Sequence, residues 1–223
     1  MTIEEKRYTT IARAAEIRFE EKKSVFIACA RRAESEEEAR AFLEEQRKRF
    51  PDANHHVYAW RIGGASEQYL QRFSDDGEPS GTSGPPVLDV LRKGNITDTV
   101  IVVTRYFGGI HLGTGGLVKA YGSAASAVMR AAGFTDMIPA RLYRIRFPYR
   151  FVDIVQHRLE RGDYAVEAQE FAADVSFLCR VPASREEEFI RMIEEITGGQ
   201  AETEKGEAVY FAAEKKEDKN GHK

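Results

Sequence analysis

The stretch from residue 73 to 122, FSDDGEPSGTSGPPVLDVLRKGNITDTVIVVTRYFGGIHLGTGGLVKAYG, constrains the fold more than any other part of the chain. At its centre Thr99-Val100-Ile101-Val102-Val103-Thr104 is the most apolar run in the sequence, the pattern of a central strand buried on both faces. Before it, Thr82 or Ser83 N-caps a helix that opens on Pro85-Pro86, where missing N–H groups do no harm. Val87, Leu88 and Leu91 bury that helix, and Gly94 ends it in the left-handed cap position. After the strand comes a second glycine-dense loop, then a helix predicted over 117–132. Leu117, Tyr121, Ala124, Val128 and Ala132 share one face of it, and Gly133 closes it.

A strand, a glycine-rich loop and a helix N-terminus together make the physical recipe for an anion site. Glycine lets backbone approach the ligand, the loop N–H groups point inward, and the helix dipole favours negative charge. Gly113-Thr114-Gly115-Gly116 fits this recipe, with Gly108 and Gly109 in the preceding turn, Arg105 ending the strand and Lys119 on the helix. The named nucleotide motifs fail. Val118, not glycine, precedes Lys119, which rules out a P-loop, and the same valine occupies the third glycine position of a dinucleotide fingerprint. The nucleophile elbow fails because Pro85 takes its last place after Gly81 and Ser83. Two readings of the glycines stay open, an anion or nucleic-acid site and plain positive-φ turns with close helix–strand packing.

The acidic loop of Asp75, Asp76 and Glu78 has two readings as well. Its carboxylates cap backbone N–H groups or pair with Arg72 and Arg105, as Asp before Gly commonly does, or they ligate a hard cation. EF-hand spacing is absent. His55 and His56 stand nearby at a strand entry, without further ligands at metal-binding spacing, so no metal is expected.

The remaining chain reads as ordinary α+β structure. Residues 8–33 are strands joined by a charged turn at Lys22-Lys23. Ser35 and Glu38 form a capping box that opens a helix ending before Pro51, with Ala39, Phe42, Leu43 and Gln46 on one face. His56 to Ile62 is a strand with Val57 and Ala59 on one side and Tyr58, Trp60 and Ile62 on the other. A polar connection from Gly63-Gly64 then leads into a long loop over 73–84. From Leu142 onward the order is β-α-β-β-α-β, a ferredoxin-like split unit, with a second capping box at Ser184 and Glu187. Arg141, Arg144, Arg146 and Arg150 interleave with aromatics there, the pattern of a half-buried edge strand more than of an RNA surface. The expected domains are 1–137 and 138–213, with a disordered charged tail over 214–223.

Composition narrows the function classes. The formal net charge is −3, so a nucleic-acid site has to be a local patch. Cys29 and Cys179 are the only cysteines, far apart, which fits a reduced cytoplasmic compartment. MTIEEKRYTT has no apolar signal core, and no apolar run reaches the length that spans a bilayer, so no membrane association is expected.

FSDDGEPSGTSGPP followed by VIVVTRYFGGIHLGTGGLVKAYG resembles the signature of the IMPACT/YigZ family in its bacterial two-domain form, and the similarity runs over nearly the whole chain. The resemblance implies an α/β-sandwich N-terminal domain like domain IV of elongation factor G and a small ribosomal-subunit protein (ribosomal protein domain 2-like). It also implies a ferredoxin-like C-terminal domain like domain V of that factor. Eukaryotic relatives act in translational control through protein contacts in the amino-acid-starvation kinase pathway. Their extra N-terminal partner-binding domain has no counterpart in these residues, so the kinase role is not carried over. For bacterial members the implied role, by fold analogy, is nucleic-acid or ribosome binding.

The expectation is therefore a cytosolic, non-enzymatic protein that binds RNA or the ribosome and regulates translation. Arg105 and Lys119 contact phosphates and Tyr106 is a stacking platform beside Gly113–Gly116. Two alternatives remain. One is a small-molecule hydrolase-type enzyme using Asp75, Asp76, Glu78 and His56; the other is a protein–protein interaction module built on the same loops. No cofactor is expected, and the sequence leaves the oligomeric state open.

Overall fold

The structure, a computed structural model, describes residues 6–66, 68–162 and 164–213. Residues 1–5 and the tail 214–223, read above as disordered, lie outside the described residues. Two compact units divide the described residues: Tyr8–Asp136, and a second formed by those from Met137 onward with Lys6 and Arg7.

The first unit contains β1 (Tyr8–Ile11), β2 (Ala15–Glu21), β3 (Ser24–Arg32), α1 (Glu36–Arg49), β4 (His55–Ile62), β5 (Leu70–Ser74), α2 (Gly84–Lys93), β6 (Thr99–Tyr106) and α3 (Gly113–Ala132). Its sheet has the order β2-β3-β6-β4-β5 and every pair is antiparallel. The apolar strand β6 is central, as its composition predicts. Val103 pairs with Ala28 and Val57, and Ile101 with Ala30 and Ala59; all six are buried on the face covered by α2 and α3. Val102 pairs with Cys29 and Tyr58, and Val100 with Trp60, on the face covered by α1. The buried face of α1 is Ala39, Phe42, Leu43 and Gln46.

Several local details differ from the sequence reading. The connection after Gly64 contains β5, which pairs along β4 and makes 73–74 strand instead of loop; its exposed, mixed residues gave no alternating signal. At α1 the Ser35 hydroxyl accepts from Glu38 N, but the Glu38 carboxylate reaches Glu34 N, one residue outside the usual box. Gly94 is right-handed at φ −78° and the left-handed residue is Asn95 at φ +48°, an amide side chain that tolerates this region. Helix α3 is assigned from Gly113, four residues earlier than predicted, so the second glycine cluster is its first turn. Gly113 itself has φ +74°, so helical backbone begins at Thr114.

The second unit holds most of β7 (Phe134–Phe147), then α4 (Val152–Arg161), β8 (Ala165–Phe171), β9 (Val175–Pro182), α5 (Glu186–Thr197) and β10 (Glu202–Ala212). Its strands run β10-β7-β9-β8, the order of a β-α-β-β-α-β unit whose two halves interleave. Tyr143, Ile145, Phe147, Phe177 and Phe189 fill its core. Within β7 the exposed Arg144 and Arg146 alternate with the buried Tyr143 and Phe147, so these arginines and aromatics occupy opposite faces of the strand. Ser184 caps nothing: a short 3-10 turn over Ala183–Arg185 precedes α5, whose N-cap is Arg185. Both units together make an α+β molecule. Among the described residues no helix is long and apolar enough to cross a membrane.

Candidate functional site

Strand β6 delivers its last residues to alternate sides of the sheet. Arg105 emerges on the α2/α3 face, in register with Phe26, and Tyr106 on the α1 face. The Arg105 side chain is only 5% exposed, and Nη1 donates to Glu78 Oε1 at 2.7 Å while Nη2 donates to Ser24 Oγ at 3.1 Å. The guanidinium carbon lies 5.5 Å from the ring centroids of both Phe26 and Phe107. Glu78 Oε1 also accepts from the Tyr121 hydroxyl at 2.6 Å, so one carboxylate oxygen joins the acidic loop, β6 and α3. Burial first, and then the bond to Glu78, push the Tyr121 phenol far above its ordinary value, and it stays a donor. A buried ion pair is costly to break from one side, and the buried Arg105 Nε has no hydrogen-bond partner among the described residues.

The acidic loop is built by Asp75. Its Oδ1 accepts from Ser83 N, Ser83 Oγ and Gly84 N, and its Oδ2 from Gly81 N. This carboxylate caps α2, and Ser83, the positional N-cap, spends its hydroxyl on Asp75 instead. Desolvation raises the Asp75 carboxyl, but the bonds from Gly81, Gly84 and Ser83 outweigh it and hold the group below the usual range. Asp76 is left-handed at φ +45°, and its Oδ2 accepts His56 N at 2.6 Å.

The two histidines differ in orientation. His56 Nε2 lies 3.1 Å from Phe50 O, and burial lowers its pKa from the ordinary value; the carbonyl can only accept, so Nε2 carries the proton. By the same logic His55 Nδ1 donates to Asp76 O at 2.8 Å. That leaves His55 Nε2 as the open ring nitrogen, 3.8 Å from Glu78 Oε1.

A cleft of about 410 Å³ opens over these groups, lined by Asn54, His55, Glu78, Arg105, Phe107 and the start of α3 through Gly113, Thr114 and Leu117. Phe107 is 40% exposed and stands 5.1 Å from the His111 ring, so the two form an aromatic edge to the cleft. Phe107 N is held by Asn54 Oδ1 at 2.7 Å. At α3 no side chain caps the first turn and no acidic residue occupies it, which leaves its N–H groups and the positive end of the dipole open.

The glycines fall into two kinds. Gly108 is demanded by packing, since a Cβ there would sit 2.0 Å from Lys23 O, where the left-handed Lys22-Lys23 turn presses against the chain. Gly115 is not: its φ is not positive and a Cβ would meet nothing within 4 Å. Glycine at an open helical position costs about 0.5–1 kcal/mol relative to alanine. The packing of the fold gives no reason for glycine at this position.

The sequence candidates are thus partly gathered and partly dispersed. His55, Glu78, Arg105, Gly113 and Thr114 line one cleft. Asp75, Asp76 and His56 hold backbone instead. Tyr106 packs toward α1 and bonds Asp52, so the exposed ring at the cleft is Phe107. Lys119 and Gly116 border a separate recess of about 100 Å³. Gly109 is left-handed at φ +83° with open space around it. Sequence reasoning missed Ser24, Asn54, Phe107, His111 and Tyr121; none lies in a recognisable spacing, and Tyr121 reads simply as part of an apolar helix face. No group of His, Cys, Asp and Glu among the described residues is arranged to hold a metal ion.

Comparison with known proteins gives the family. The Impact N-terminal domain family matches residues 22–129, and a domain of unknown function (DUF1949) matches residues 145–200. IMPACT family member YvyE of Bacillus subtilis is 34% identical over 92% of this chain and 93% of its own length. The chain belongs to the IMPACT family. IMPACT family member YigZ of Escherichia coli is 35% identical over 80% of this chain and 87% of its own. A crystal structure of a hypothetical protein matches with 33% identity and a TM-score of 0.62, over 89% of this chain and 96% of that one. Every residue that lines the cleft lies inside the part matched by the IMPACT N-terminal domain.

Proposed function

We propose that this IMPACT family protein is a binding protein of translation control that engages single-stranded RNA, on its own or within the ribosome, through the cleft at the start of α3. The observation that carries the reading is the uncapped, acid-free first turn of α3 opening beside the exposed Phe107 ring, with Gly115 left bare where the fold has no use for a glycine. A phosphate finds backbone donors and a helix dipole there. A base finds a ring on which to stack, a contact worth about 1–3 kcal/mol. Arg105 supports this site from beneath through Glu78 and Ser24 and is not a free phosphate contact in this reading.

The hydrolase reading has less to support it, because Asp75 and Asp76 are already taken up by backbone N–H groups. A protein-interaction role is separated by nuclease treatment, which abolishes RNA-bridged partners and spares direct ones. The test is binding of the purified protein to mixed-sequence single-stranded RNA and to ribosomal subunits over a salt series. Affinity that falls with salt supports the proposal; no salt-sensitive affinity for either rejects it.

A further inference from the structure

The second unit contains a recess of about 610 Å³ between α4 and α5 that the proposed function leaves unused. Arg158 and Arg161 reach it from the last turn of α4, Arg191 from α5, and Arg185 from the N-cap of α5. Arg185 is committed within the protein. Its Nη1 donates to Gly162 O at 2.6 Å, while Nε and Nη2 hold the two oxygens of Glu188 at 3.0 and 2.7 Å. The negative end of the α4 dipole favours a cation, and Arg185 already fills that role through Gly162. Arg158, Arg161 and Arg191 make no ion pair among the described residues, and only Nε of Arg191 is engaged, donating to Glu187 O. Their counter-charge on the lining is Glu195, also without a salt bridge. Four arginines against two glutamates therefore leave the recess two charges positive. Like charges one turn apart on a helix, as Arg158 and Arg161 are, destabilise it slightly. The Tyr164 hydroxyl in the same lining is buried without a hydrogen-bond partner. Glu188 stands beside it, but outside bonding geometry and with both oxygens taken by Arg185. A buried hydroxyl left open points to an acceptor supplied from outside the chain.

We propose that this recess is a second binding site, for a ligand that carries two neighbouring phosphate groups. A guanidinium offers a planar fork of N–H donors that matches phosphate oxygens two at a time, and it keeps its charge at every physiological pH. The unpaired forks come from both α4 and α5, so one phosphate toward each helix matches the lining better than a single one. The surplus of two positive charges matches such a pair as well. A lone carboxylate brings one charge and two acceptor oxygens and leaves most of these donors unused. Two adjacent phosphates occur in a free diphosphate compound and in consecutive links of an RNA strand, and the test below tells these sources apart. Every residue of the recess belongs to the second unit and none to the cleft at α3, so the proposal does not depend on the RNA reading.

The deciding experiment titrates the full chain, in phosphate-free buffer without divalent cations, with inorganic diphosphate, single-stranded RNA and a glutamate-rich peptide. Wild type is compared with the double variant Arg158→Gln/Arg161→Gln and with Arg144→Gln/Arg146→Gln, which removes the same charge from exposed positions on β7 outside the recess. Arg158 and Arg161 are exposed and unpaired, so their replacement is expected to leave the thermal midpoint unchanged. Diphosphate, RNA or both are expected to bind wild type and to lose at least about tenfold in affinity in Arg158→Gln/Arg161→Gln, while the β7 variant binds as wild type does. A loss confined to diphosphate identifies a free diphosphate compound as the ligand, and a loss that extends to RNA identifies the strand; either supports the site. Gly115→Asp, titrated in parallel, is expected to leave the diphosphate affinity unchanged and reports on the α3 cleft alone. The proposal is overturned if neither ligand is weakened by Arg158→Gln/Arg161→Gln, if the β7 variant loses as much, or if the peptide binds more tightly than both. RNA binding lost in Gly115→Asp but kept, with that of diphosphate, in Arg158→Gln/Arg161→Gln overturns this proposal and leaves the proposed function standing.

Discussion

Glu78 and Arg105 are the residues on which the site's shape depends most. Each side chain is buried, and each compensates the other's charge. Removing one partner leaves an unpaired buried charge, so Arg105→Met is expected to destabilise the protein by about 3–5 kcal/mol. Adding Glu78→Gln to that variant should recover much of the loss. Urea unfolding of wild type, both single variants and the double variant measures the coupling; additive losses would show that the two groups act separately. His56 carries a pH prediction. Burial lowers its pKa in the folded protein below the ordinary 6.5, so the unfolded chain takes up a proton at higher pH than the folded one. The stability linked to His56 is therefore complete above about pH 6.5 and declines as pH falls below that value. Urea midpoints from pH 7.5 to 5.5 should drop in wild type and drop less in His56→Asn.

At the scale of elements, the start of α3 separates stability from function. Gly115→Ala is expected to stabilise the protein by about 0.5–1 kcal/mol, because it relieves an open helical glycine, while under the proposed function its methyl group crowds the first turn of α3 and weakens binding. Thermal unfolding and RNA titration of the same sample check both signs. A variant that binds as well as wild type would show that the first turn of α3 is not the contact. The elements themselves were largely legible in the sequence. The apolar run of β6, the face of α1 and the apolar stripe of α3 each follow from periodicity that burial enforces. What periodicity does not encode was harder to read. β5 is an exposed edge strand without alternation, and α3 begins inside a glycine cluster that propensity assigns to a loop. The cleft was legible only in part, because the pairings of Glu78 with Tyr121 and of Arg105 with Ser24 join residues 43 and 81 positions apart. Alternation along β6 also explains why Phe107, not Tyr106, reaches the cleft: Arg105 exits on the α2/α3 face and Tyr106 on the opposite one.

At the scale of the whole molecule, both cysteines are buried free thiols, and desolvation pushes each up to about 12. They should stay unreactive toward a thiol reagent at pH 8 in the folded protein and both react once urea unfolds it. Labelling of either under native conditions would contradict the packing of β3 or β9. The net charge of −3 limits any RNA contact to a local one, so few phosphates are engaged. For a single strand the logarithm of affinity is then expected to fall with the logarithm of salt with a shallow slope of about −1 to −2. The most direct test compares wild type with Gly115→Asp in that titration. An aspartate in the first turn suits the helix dipole and is expected to leave the fold intact, yet it places a negative charge where the proposed function puts the phosphate. The account predicts unchanged or higher thermal stability with at least about a tenfold loss of RNA affinity; undiminished RNA binding by Gly115→Asp would contradict it.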